Sequence, residues 1–85
     1  MTAEAREAVL ARLTPTDDLA AAADTDLVIE AVFEDAAVKT LLWATLDGIA
    51  PGHAVFASNT SSISIDTLAA AVGEARRRRF IGMHF

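Results

Sequence analysis

The sequence predicts an α/β fold, a parallel sheet with flanking helices, and three observations carry that reading. Apolar runs of strand length alternate with stretches at helical period along the 85 residues. "LVIEAVF", residues 27–33, is a β-branched apolar run broken only by Glu30, which suits a strand covered on both faces. Polar or acidic residues then collect at strand ends: Glu34-Asp35 after the first long strand, Ser58 to Ser62 after the second, and His84 in the third. In open parallel sheets ligands bind outside the carboxyl ends of the strands, so these segments are expected to converge on one edge.

The elements follow in order. "MTAEAREAVLARL" reads as a helix, with Thr2 as a cap and Val9, Leu10 and Leu13 as a modest apolar stripe. "TPTDDLAAAADTD" opens as a short extended piece around Leu13 to Thr16 and continues as a turn of helix begun at Asp17 or Asp18. After the strand at 27–33, "EDAAVKTLLWATLDGIA" has helical period, with Val38, Leu41, Leu42, Thr45, Leu46 and Ile49 on one face. Trp43 lies off that stripe and reads as a partly covered surface aromatic or an interface residue. Glu34 and Asp35 favour the helix N-terminus, and Pro51-Gly52 closes it. "AVFAS" is the next strand. Ser64 is placed to cap a helix "IDTLAAAV" that stops at Gly73, and a charged turn, Glu74 to Arg79, leads into a last strand, "FIGMHF".

Composition narrows the function. A net charge of −5 argues against a nucleic-acid or anionic-membrane partner, and no apolar run has the length of a membrane span. The absence of cysteine excludes a disulfide framework and a thiolate metal site, and two distant histidines, His53 and His84, make no metal centre. The first residues lack the continuous apolar region of a secretory signal, so a reduced, cytoplasmic setting is the expectation. His53 reads as a solvated turn residue and the run Arg76 to Arg79 as a solvated loop. Glu30, an acid in an apolar strand, needs a buried partner, expected outside these residues. Each serine of 58–64 taken singly is well explained as a turn or cap residue; the coincidence of three strand ends is what points to a ligand.

Three segments in this order, "DLVIEAVFEDAAVK", "ASNTSSISI" and "FIGMHF", together resemble the NAD-binding domain of the 3-hydroxyacyl-CoA dehydrogenase family, from about Leu13 to Phe85. The resemblance implies a Rossmann-like sheet, NAD as cofactor, a 3-hydroxyacyl-CoA as substrate, and oxidation of its 3-hydroxyl to a ketone in fatty-acid β-oxidation or a related step. It also implies a homo-oligomer. On the family pattern His84 is the residue that takes the hydroxyl proton, a task suited to an imidazole, and Ser61 is the serine that holds the reacting oxygen. Ala31, Glu34, Lys39 and Ser61 match cofactor-contacting positions, whereas Asn59 shapes the same loop without a chemical role.

The sequence departs from that pattern in two places. Its four glycines, Gly48, Gly52, Gly73 and Gly82, form no G-x-G-x-x-G turn, and the family's helical domain has no counterpart here. Residues 1–85 therefore read as a partial NAD-binding domain that lacks the glycine-rich half. The alternative is a non-catalytic remnant or a half-domain that depends on a partner. A β-hydroxyacid dehydrogenase of another family fits less well, since those carry a lysine as the proton-transfer group.

Overall fold

A computed structural model describes residues 1–84. Its elements are α1 (Ala3–Ala11), a 3-10 helix (Leu19–Asp24), β1 (Leu27–Glu30), α2 (Ala36–Asp47), β2 (Val55–Ser58), α3 (Ile65–Ala69), α4 (Glu74–Arg77) and β3 (Phe80–Gly82). The three strands form one parallel sheet in the order β1-β2-β3, the α/β arrangement that the alternating pattern predicts. In its register Glu30 lies opposite Ser58 and Ser58 opposite Gly82. The carboxyl ends of all three strands thus share one row, and the residues after them leave the sheet along one edge.

Local sequence explains most boundaries. The Thr2 hydroxyl accepts from the Ala5 N–H at 3.0 Å and starts α1, and the Asp18 carboxylate accepts from the Ala20 N–H at 2.9 Å and starts the 3-10 helix. Asp35 caps α2 by accepting from the Val38 N–H at 3.1 Å. Ser64 sits at the cap position of α3 but makes no side-chain cap bond. Helix α3 ends at Ala69, short of Gly73, which instead precedes α4. A side chain on Gly82 would meet Ile65 at 3.1 Å, so glycine lets α3 approach the end of β3 closely.

Two expected strand segments differ. Leu13 to Thr16 pairs with no strand among the described residues and is exposed. Pro15 brings no donor to a ladder, and the Thr16 hydroxyl instead accepts from the Asp18 N–H. The run 27–33 is a strand only as far as Glu30. The Asn59 N–H donates to the Glu30 carbonyl at 2.8 Å as the last rung. Then the Val32 N–H turns to Glu30 Oε2 at 2.9 Å, and the Val32 carbonyl accepts from Lys39 Nζ at 3.1 Å. Side chains take the backbone groups that a longer ladder would have used.

The core gathers Trp43, Leu46 and Ala50 around α2, Ala54 and Phe56 at β2, Leu68 and Val72 around α3, and Phe80 of β3. Trp43, expected at the surface, is 0% exposed. It stacks on Phe56 with centroids 4.6 Å apart and meets Phe80 edge-on at 4.9 Å. The buried face of α2 is Lys39, Trp43 and Leu46, whereas Leu41 of the expected stripe is 70% exposed. The helix is rotated from the expected orientation because Lys39 belongs to the buried face, held there by Glu30.

The arginine run also differs from a solvated loop. Arg76 is buried and donates to the carbonyls of Ala50, Pro51 and Ala54 and to the Asp47 carboxylate at 2.9 Å, with its guanidinium 4.5 Å above the Phe56 ring. It gathers the last carbonyls after α2 and ties α4 to β2. Burial pushes the Asp47 carboxyl up, but the Gly73 N–H and the Arg76 guanidinium outweigh it and leave its pKa lowered. His53 is exposed as expected and meets Asp26 at 2.7 Å.

Candidate functional site at the carboxyl edge of the sheet

The shared row of strand ends fixes where the site lies. Residues 31–34 leave β1, 59–62 leave β2, and Met83 and His84 leave β3. The Met83 N–H donates to the Ser58 carbonyl at 3.0 Å, which extends the β2–β3 contact one residue past the strand. His84 follows at once, exposed and two residues beyond Gly82 rather than within the strand. Ala31 is exposed directly after Glu30.

Glu34 is the centre of the arrangement. Its Oε1 accepts from the Thr60 hydroxyl at 2.7 Å. Its Oε2 accepts from the Ser61 and Ser62 N–H groups at 2.8 and 3.1 Å, and from both serine hydroxyls at 3.1 and 3.2 Å. The Thr60 hydroxyl first, then the Ser61 N–H, hold the Glu34 carboxyl well below its ordinary range, against an opposing effect of burial. A group with a depressed folded pKa keeps its contribution above the unfolded value and loses it as pH falls through the folded one. The Glu34 contact is therefore intact at neutral pH and opens only in strong acid.

Behind Glu34 lies a dry ion pair. Lys39 and Glu30 side chains are 0% and 1% exposed and in direct contact. Glu30 Oε1 accepts from the Ser58 hydroxyl at 2.5 Å, and Lys39 Nζ lies 3.4 Å from Glu34 Oε1. The partner of Glu30 is thus within the chain, nine residues downstream, and not outside it as expected. Sequence reading named Glu34, Lys39 and Ser61, which the fold brings together. It placed Ala31 and His84 on the same edge. It missed Thr60, Ser62, Ser58 and Glu30 as members of one network. The available signal was an acid at the end of a strand and a lysine in the first turns of the next helix.

The family profile described as "3-hydroxyacyl-CoA dehydrogenase, NAD binding domain" matches residues 1–85. The chain belongs to that family. It is 44% identical over 79 residues to a probable 3-hydroxybutyryl-CoA dehydrogenase of Bacillus subtilis, covering 93% of this chain and 27% of that one. To the human mitochondrial hydroxyacyl-coenzyme A dehydrogenase it is 46% identical over 72 residues, 85% of this chain and 22% of that one. Among solved structures, FadB2 of M. tuberculosis superposes with a TM-score of 0.94 at 46% identity, covering all of this chain and 30% of FadB2. The (S)-3-hydroxybutyryl-CoA dehydrogenase PaaH1 of Ralstonia eutropha superposes at 0.92 and 41% identity, covering 100% of this chain and 29% of that one. The chain thus spans less than a third of each of these relatives. Within the family's Rossmann-like domain, this segment supplies three parallel strands and their flanking helices.

Proposed function

We propose that this chain contributes the substrate-facing part of an NAD-dependent 3-hydroxyacyl-CoA dehydrogenase, which oxidises the 3-hydroxyl to a ketone in fatty-acid β-oxidation. One observation carries the reading: Glu34, Lys39 and Ser61, named from the family pattern, converge at the carboxyl edge where an open parallel sheet binds its ligand. The residues fit the ribose and nicotinamide end of the cofactor. Ala31 leaves the edge uncrowded by a large side chain, and an ionised Glu34 accepts hydroxyl donors. No glycine-rich turn among the 85 residues offers backbone N–H groups to a pyrophosphate.

NAD, when bound, supplies the hydride acceptor. With its proton on Glu34 Oε2, the Ser61 hydroxyl accepts from the alcohol, and turning that proton toward the reacting oxygen lets it donate to the ketone. His84 takes the hydroxyl proton as the C–H electron pair leaves the carbon, so the alcohol loses one proton and one hydride. Lys39 has Glu30, the Val32 carbonyl and Glu34 around its ammonium, with Glu30 the carboxylate in direct contact.

The test is a hybrid in which residues 1–85 replace the matched segment of the Ralstonia eutropha PaaH1 enzyme. The hybrid is expected to consume NADH with acetoacetyl-CoA, and the 85-residue chain alone is not. A folded, inactive hybrid, or NADH consumption by the chain alone that disappears in His84→Ala, contradicts the proposal.

Within the hybrid, Ser61→Ala is expected to slow the reaction more than Ser62→Ala. Both serines hold Glu34, so both variants loosen the loop, and the difference isolates the contact with the reacting oxygen. A hydrogen bond of that kind is worth about 0.5–1.5 kcal/mol, so the gap is several-fold in rate. Steady-state kinetics of the pair decide it, and equal losses would remove Ser61 from contact with substrate.

The open edge of β1 favours a second reading, a half-domain that depends on a partner. Among the described residues β1 pairs with β2 alone, which leaves its other edge unpaired, and its Leu27 and Ile29 are 46% and 45% exposed. The 85-residue chain is accordingly expected to self-associate along this edge. Light scattering with size-exclusion chromatography across a concentration series reads it, and a compact monomer at high concentration would contradict it.

A further inference from the structure

We infer that Glu30 is a positioning residue for this site: by neutralising Lys39 it leaves Glu34 free to hold the Thr60–Ser62 loop. The inference rests on the reading above that Glu34 and Ser61 face cofactor and substrate, and it assigns the part played by the buried acid behind them.

The geometry gives Lys39 two carboxylates to choose between. Glu30 Oε2 is in direct contact with Nζ, and Glu34 Oε1 stands at 3.4 Å. Glu30 is fixed at the end of β1 by the Ser58 hydroxyl at 2.5 Å and the Val32 N–H at 2.9 Å, so its carboxylate stays where the ammonium needs it. Glu34 is on no regular element and is 31% exposed, so its position follows whichever partner holds it more strongly. With Glu30 ionised, the buried ammonium is matched, and Glu34 gives Oε2 to the two serine N–H groups. Without that charge, Lys39 is a buried cation with one carboxylate in reach. Glu34 is then drawn inward, and its Oε2 comes off Ser61 and Ser62. The Ser61 hydroxyl and the Glu34 carboxylate thereby lose their mutual placement, although neither has been changed.

The test reads the loop directly, in amide spectra and hydrogen exchange of the 85-residue chain. Glu30→Gln is expected to shift the Ser61 and Ser62 amide protons upfield and to speed their exchange about tenfold, the equivalent of losing a hydrogen bond to a charged group. Adding Lys39→Met removes the cation that draws Glu34 away, so the double variant is expected to restore both amides. A role of Glu30 in stability alone predicts the melting temperature to fall while the two amides of the folded protein stay where they were. If Glu30→Gln does not fold, Glu30→Asp keeps the charge but withdraws it by one methylene, and the same amides are expected to move in the same direction by less. Unmoved Ser61 and Ser62 signals in a folded variant overturn the inference, as does a release that the double variant does not reverse. No cofactor or substrate enters the measurement, so an inactive hybrid enzyme would leave its result standing.

Discussion

His84→Ala in the hybrid dehydrogenase is expected to lower turnover of acetoacetyl-CoA by roughly 10²–10⁴-fold, the share usual for a positioned general acid or base. His84 is exposed at the carboxyl edge, directly after the Met83 N–H that bonds the Ser58 carbonyl. Its side chain takes no part in the core, so removing the imidazole leaves the sheet and the Glu34 loop standing. The loss is therefore expected in the catalytic constant, with the melting temperature and NADH affinity little changed. Initial rates of NADH consumption and a thermal melt measure the two sides. A variant that turns over as fast as its parent would take His84 out of the mechanism. One that loses activity only because it melts early would give it a structural role instead.

Trp43→Ala is expected to destabilise the chain by about 3–5 kcal/mol, the range for deleting a large buried aromatic. Trp43 of α2 packs against both the Phe56 and Phe80 rings, and so holds the helix over two strands at once. Small domains have total stabilities of about 5–15 kcal/mol, so the loss takes a large fraction and brings the chain near unfolding. The indole also carries a cost: its Nε1 is buried without a hydrogen-bond partner. Trp43→Phe removes that donor and keeps a ring against Phe56, so it is expected to cost well under half as much. Urea denaturation followed by circular dichroism separates the two. Equal losses in both variants would mean that the indole makes a contribution beyond packing.

Much of this was legible from residue order. The β-branched run before Glu30 and the serine-rich stretch after Phe56 marked two neighbouring strands, and their ends marked the edge where Glu34 and Ser61 meet. What was not legible came from side chains that act against their usual type. The expected apolar stripe of α2 included Leu41 and left out Lys39 and Trp43; in the fold the Lys39 charge is matched by Glu30 and the helix rolls to bury both. Arg76 likewise hides in a run of four arginines, and nothing in that run distinguishes the one whose guanidinium meets three carbonyls after α2. β1 stops early for a related reason. Glu30 and Lys39 satisfy the backbone of Val32, a tertiary arrangement that strand propensity does not see. Local pattern gives the strands and their order, whereas buried charge pairs, which need residues far apart in sequence, decide where β1 stops and which face α2 buries.

Cofactor and substrate are proposed to meet at the row formed by Glu30, Ser58 and Gly82. A crystal structure of the hybrid enzyme with NAD bound tests it most directly. The nicotinamide end is expected to lie beside Ala31, with Glu34 or Ser61 within hydrogen-bond distance and His84 facing the hydride-accepting carbon across the space for substrate. A nicotinamide bound away from this edge, with Ala31, Glu34, Ser61 and His84 all out of contact, would contradict the account.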